Sequence, residues 1–355
     1  AYWTVRTDDG DLYATSFGPG NGPETLDVTL PEVTGGELWV SGEPSLSRSS
    51  GGHIAVAYRA GNAPGIWVQR LVGEQFAKAQ LVTPEDTDLM FWPSLVHTDD
   101  DNMIVSFVYE EAGSTLSAVA RLNSNGTSIS GDIDVLGAEL AATKHATALA
   151  ASSNGAAVVA WIAEDAPDGP SLVIQEVHAS GAQGDIITLA QSSDAGSILG
   201  QPALALDPWG TGIAAYQTLD PDGLWVVKFH LESQAILGEP TQLDDLPATM
   251  LGPAEFEGYD ASRFDLAMNG DGWGLLAVGL TEMPSRLYRI GPAWELPPFT
   301  SFGEGNGVPR IAAATCYDDA VVVGPESKTN QHGAYRTVFQ ADDDGDGQPD
   351  MCCAP

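Results

Sequence analysis

Near the carboxyl end, five oxygen-bearing side chains stand on alternate positions: Asp342, Asp344, Asp346, Gln348 and Asp350, within the run Asp342-Asp343-Asp344-Gly345-Asp346-Gly347-Gln348-Pro349-Asp350. A hard divalent cation such as calcium takes about six to eight oxygen ligands, and a loop offering oxygen at every second residue wraps it. Gly347 stands at the sixth position, where the loop must turn sharply; Gln348 would lend its backbone carbonyl, and Asp350 would bind directly or through water. The bidentate glutamate that often closes such a loop is missing. The spacing predicts a calcium site.

With Cys352, Cys353 and Pro355 behind it, this run resembles a single thrombospondin type 3 repeat, over residues 342–355 only. The resemblance implies calcium-dependent ordering in an extracellular or cell-surface protein. The adjacent Cys352-Cys353 pair departs from the spaced cysteines of that family. Three cysteines cannot all pair within one chain, but Cys316 could bridge Cys352 or Cys353 in an oxidising compartment.

Other chemistry-bearing residues form no local motif. His53, His97, His145, His178, His230 and His332 show no His-x-His or His-x-x-x-His spacing, and no serine sits in a Gly-x-Ser-x-Gly elbow. The ten arginines do not fall at equivalent positions of the repeats described next that would converge on an acidic sugar. Scattered surface or strand histidines are the expectation.

The elements that must position these residues come from a repeat. Trp3 to Phe17 recurs as Pro44 to Tyr58, Pro93 to Phe107, Thr147 to Trp161, Pro202 to Tyr216, Phe264 to Val278 and Pro309 to Val323. The third position is always aliphatic: Val5, Leu46, Leu95, Leu149, Leu204, Leu266, Ile311. A turn of Asp, Asn, Ser and Gly follows, residues that tolerate positive φ or bond their own backbone. The second strand is small and apolar almost throughout, as in Ala157-Val158-Val159-Ala160-Trp161, which suits a strand covered on both faces. Each copy reads as a hairpin, followed in most copies by a third strand and a weaker fourth.

Such units must pack against neighbours, so the expected class is all-β: a β-propeller over residues 1–341, with seven blades or alternatively six, and the acidic tail 342–355. The connections leading into each new copy carry Trp39, Phe91, Trp92, Phe256 and Tyr259, which would stack on a sugar ring, anchor a protein, or plug the mouth of a central channel. Trp209 and Trp273 fall in hairpin turns on the opposite face and are expected to lid the core.

The charge balance, 14 − 49 = −35, repels a nucleic-acid backbone and an anionic membrane surface. No apolar run reaches the length of a membrane span, and the chain reads as a mature, soluble product. Fold decides no function. The leading expectation is a non-catalytic extracellular or cell-surface propeller that recognises a protein or glycan. The alternatives are a carbohydrate-active hydrolase or lyase acting at the channel mouth, and a structural subunit of a surface assembly.

Overall fold

In a computed structural model of the chain, the described residues are 2–8, 11–18, 21–28, 32–33, 36–37, 44–60, 65–83, 88–89, 93–98, 101–126, 133–137, 147–151, 155–164, 166, 169–192, 197–219, 223–244, 264–270, 272–280, 283–291, 300–302, 310–313, 319–326 and 331–338. Every element among them is a β-strand. All seven expected hairpins form as antiparallel pairs. The conserved-type aliphatic position sits opposite Ala14, Val56, Val105, Val159, Ala214, Leu276 and Val322 in turn.

One turn geometry serves blade after blade. The residue three beyond the aliphatic position is Ser49, Thr98, Asp207 or Asn269, and its N–H donates to the carbonyl four residues on, at 2.8, 2.8, 2.8 and 3.0 Å. Its carbonyl accepts from the residue three on: Gly52, Asp101, Gly210 or Gly272. That residue takes a positive φ, which three of the four meet with glycine. Short polar side chains at the first turn position close the remaining donors, as when Asn269 Oδ1 accepts from Trp273 N at 3.0 Å.

Five sheets carry the four or five strands of a complete blade: blade I (residues 45–81), blade II (88–136), blade III (148–191), blade IV (197–244) and blade V (264–302). The sheets of the first and last copies have three strands each: Tyr2–Asp8, Asp11–Gly18 and Asn21–Val28, then Arg310–Ala313, Asp319–Glu326 and Gln331–Val338. The propeller therefore shows five blades among the described residues, which corrects the expected seven and the alternative six. The physical reason is visible after the first sheet, where Glu32–Val33 pairs with Gly36–Glu37 and so adds no fourth strand. The chain divides into two compact units, residues 1–165 with 174–186, and residues 166–173 with 187–355.

Within the first unit, the second strand of blade I, Ile54–Arg59, is buried on both faces, as its composition predicts. Val56 and Tyr58 pack with Leu12, Ala14 and Val28 of the amino-terminal sheet, while Ala55 and Ala57 pack with Met103, Phe107 and Tyr109 of blade II. Small residues on one side admit large ones from the next blade, and burying each such large side chain contributes roughly 1.5–3 kcal/mol. In the second unit, Ile213, Ala215, Leu224 and Val226 of blade IV pack against Leu266, Leu276, Val278 and Ile290 of blade V.

Polar groups lock the same seams. Ser45 and Ser47 of blade I accept from the backbone N–H groups of Leu95 and His97 in blade II, at 3.0 and 2.8 Å. The third strands add a column of cations. The strand-two residue just before the aliphatic position's partner pairs with Arg70, Arg121, Lys228, Arg289 and Arg336 in five different sheets. Counted along the chain these cations do not align; strand pairing brings them to one register position. Buried Arg121 donates from Nε to the carbonyl of His178 in blade III at 2.6 Å and pairs with Asp134. Buried Lys228 donates from Nζ to the carbonyl of Gly291, at the end of blade V's third strand. These cations bridge blades.

Candidate functional site

The residues expected to bind a ligand, Trp39, Phe91, Trp92, Phe256 and Tyr259, lie outside the described residues, as do Asp342, Asp344, Asp346, Gln348 and Asp350 of the tail and Cys316, Cys352 and Cys353. Among the described residues, no group of three His, Cys, Asp or Glu side chains is placed to hold a metal ion.

Two other places bring chemistry together. The first lies where the hairpin turns of blades I and II meet. Asp101 occupies the turn position that Gly52, Gly210 and Gly272 fill elsewhere, at a φ of 56° that L-residues adopt at a cost of about 1 kcal/mol. Its Oδ2 lies 3.1 Å from Nδ1 of His53, which belongs to the turn of blade I. Gly51 lies against the pair: a Cβ there would stand 3.4 Å from Asp101 Oδ1 and 3.6 Å from His53 Nδ1, in ordinary van der Waals contact. The Ser49 hydroxyl and then the His53 ring hold the Asp101 carboxyl below the usual carboxylate range.

Beneath this pair sits His97, with Nδ1 3.0 Å from the Ser47 hydroxyl. Its side chain is buried, which drives the imidazole down to about 4; Asp101 pulls the other way, while Arg70 and His53 reinforce the fall. His97 is thus neutral where His53, with its side chain 48% exposed, meets solvent. Ser49 does not face the His53 ring as a nucleophile would. Its Oγ accepts from the backbone N–H of His53 at 3.1 Å, so the Ser-His-Asp composition is not a triad. Sequence spacing separates these groups too widely to suggest a motif. The available signal was Asp101 at a turn position that Gly52, Gly155, Gly210 and Gly272 fill in other copies.

The second place is the turn of blade IV. Asp207 Oδ1 accepts from the backbone N–H groups of Trp209 and Thr211, both at 2.8 Å. This fixes the turn and presents Trp209, which is 71% exposed, to solvent. The expectation that Trp209 lids the core is therefore corrected. The blade IV core is closed by Ile213, Leu224 and Phe229 without it. Trp273, in the turn of blade V, is half-buried. Elsewhere Trp161 is fully buried, and Trp225 donates from Nε1 to the Thr218 hydroxyl at 2.9 Å.

No family model matches the chain, and no curated protein matches it. Solved structures do. The "Hadza microbial sialidase Hz136" is similar at 12% identity and a TM-score of 0.54, covering 83% of this chain but 65%, less than two thirds, of the sialidase. A protein of unknown function from Dyadobacter fermentans DSM 18053 is similar at 12% identity and a TM-score of 0.55, covering 88% of this chain and 98% of that one. The Penicillium chrysogenum α-L-arabinanase, solved with arabinobiose, is similar at 11% identity and a TM-score of 0.50, covering 83% of this chain and 92% of the other. At these identities the likeness concerns the fold, which is the β-propeller.

Proposed function

We propose that the chain is a non-catalytic extracellular or cell-surface propeller that recognises a neutral glycan through exposed aromatic side chains and binds calcium through its acidic tail. The observation that carries this reading is Trp209: an indole 71% exposed, on a turn whose backbone N–H groups at Trp209 and Thr211 both donate to Asp207. A rigid exposed aromatic offers a large contact area at low entropic cost, and its flat face suits a sugar ring. The net charge of −35 disfavours acidic sugars, which narrows the class to neutral ones. A sugar is also the first class to test because a sialidase and an arabinanase, the latter solved with arabinobiose, share the fold. The oxygen-only donor set of the tail fits calcium by its chemistry.

The test is a fluorescence titration of the full chain with arabinobiose and a panel of neutral oligosaccharides, beside Trp209→Ala. Saturable quenching or a blue shift that Trp209→Ala loses supports the reading, as does unchanged oligosaccharide over hours of incubation. No response to any neutral oligosaccharide, or release of smaller sugars, overturns it.

A further inference from the structure

We propose that the outer strand of blade III, Gln183–Gln191, is a docking edge that takes an extended, lysine- or arginine-bearing segment of a partner protein as one further strand. The edge does not depend on what Trp209 binds. Its length sets it apart: nine residues, against two to four for Gln80–Leu81, Asp134–Leu136, Thr241–Asp244 and Thr300–Phe302, the outer strands of blades I, II, IV and V. Among the described residues it closes its sheet, beside Ser171–His178 and with no strand beyond it.

The tight turn that brings the chain back from Ser171–His178 fixes which backbone groups are spare. His178 N donates to the Ala182 carbonyl at 2.9 Å, and a Cβ at Gly184 would stand 3.2 Å from that of Glu176, so Ala182 and Gly184 face the neighbouring strand. Backbone groups alternate in direction along an antiparallel strand, which turns those of Gln183 and Asp185 outward. The side chains of Gln183, Asp185, Ile186 and Thr188 are exposed beside them. Sheet edges are ordinarily blunted by brevity, by lysine or by proline. This one has none of these, and Ile186, Ile187 and Thr188 favour extended backbone.

Charge selects the occupant. The chain has no lysine or arginine between Lys144 and Lys228, so blade III carries Glu164, Asp165, Asp168, Glu176 and Asp185 without either cation. Asp185 is the single charge of the outer strand, and Glu176 lies alongside at Gly184. A segment that sets a cation across from Asp185 makes a favourable cross-strand pair, whereas an acidic segment, or the same edge of a second copy at net −35, meets like charge. Main-chain hydrogen bonds then supply the affinity and charge the selection.

The experiment offers the full chain two labelled nonapeptides, one alternating lysine with valine and one alternating glutamate with valine, and reads fluorescence anisotropy and amide exchange. The lysine peptide should bind, slowing exchange at Gln183 and Asp185 and leaving Gly184 unchanged. Asp185→Lys should weaken that binding about fivefold and admit the glutamate peptide instead. Asp185→Pro, tolerated at an edge position whose N–H faces outward, should abolish the slowing at Gln183. Melting temperatures establish that both variants fold; if either does not, the exchange pattern of the wild type and its choice between the peptides still decide. No binding of the lysine peptide, equal binding of both peptides, slow exchange of Gln183 and Asp185 already in the free chain, or self-association through this strand overturns the proposal.

Discussion

Arg121 Nε donates to the carbonyl of His178 at 2.6 Å, joining the third strand of blade II to that of blade III. The arginine is 2% exposed, and its guanidinium also pairs with Asp134. A buried cation needs carbonyls and carboxylates in place of its water, and here a carbonyl meets Nε and a carboxylate meets Nη1. Lys228 repeats the arrangement at the register-equivalent position, with the carbonyl of Gly291 as acceptor. The cations act as cross-blade ties.

Arg121→Ala should therefore lower stability by about 3 kcal/mol, because it empties a packed site, cuts the tie to the His178 carbonyl and leaves Asp134 without its cation. Arg121→Lys should lose less, keeping a donor but not the planar fork. Urea denaturation followed by intrinsic fluorescence checks both. Equal stability of Arg121→Ala and wild type would show that the tie contributes nothing.

Gly212 offers a different kind of test. Its strand partner is Phe229, whose ring lies over it, so that a Cβ at residue 212 would collide with the ring at Cζ. Gly212→Ala must displace that buried ring and should cost about 1–3 kcal/mol. Gly73 has a φ of +67° and open space around its Cβ position. Gly73→Ala should cost only the backbone strain of about 1 kcal/mol, so the two variants separate packing from conformation in the same denaturation assay.

The hairpins were legible in the sequence because the aliphatic position, the turn and the second strand fall within one contiguous stretch, as in Pro202 to Tyr216. The cation column was not, because the second-to-third connection varies. Ala55 to Arg70 spans 70 − 55 = 15 positions, Ile104 to Arg121 spans 121 − 104 = 17, and Leu275 to Arg289 spans 289 − 275 = 14. Only pairing aligns them. The weaker fourth strand was legible too, as at Gln80–Leu81 and Thr241–Asp244; what stayed hidden was that the first sheet lacks one, because Glu32–Val33 pairs with Gly36–Glu37 instead. The His53–Asp101 pair joins turns 101 − 53 = 48 residues apart, so no local spacing announces it. What the sequence did hold was the replacement of glycine by Asp101, which becomes visible once the turns are placed in register.

The acidic tail gives a prediction that rests on its donor spacing. Calorimetric titration of the full chain with calcium should show binding, with a melting temperature that rises as ln(1 + [L]/Kd), and a chain ending at Ala341 should show neither. Equal responses from both chains would move the metal into residues 1–341. No heat from either would remove calcium from the description of the tail.

Lys228 sets a pH dependence of its own. Burial lowers its ammonium from 10.5 to about 8, so the folded chain releases this proton before the unfolded chain does. Between those values the unfolded state binds more protons, and stability rises with pH. The contribution reaches its plateau above the unfolded lysine value, and below about 8 both states are protonated and the slope vanishes. Denaturation midpoints measured from pH 7 to pH 10.5 on wild type and Lys228→Met isolate the effect, since the difference between them removes the other titrating groups. The expected result is a wild-type midpoint that gains on Lys228→Met as the pH climbs through 8. A difference that is flat with pH, or that shrinks, would mean that the bond to the Gly291 carbonyl holds the charged form as firmly as water does.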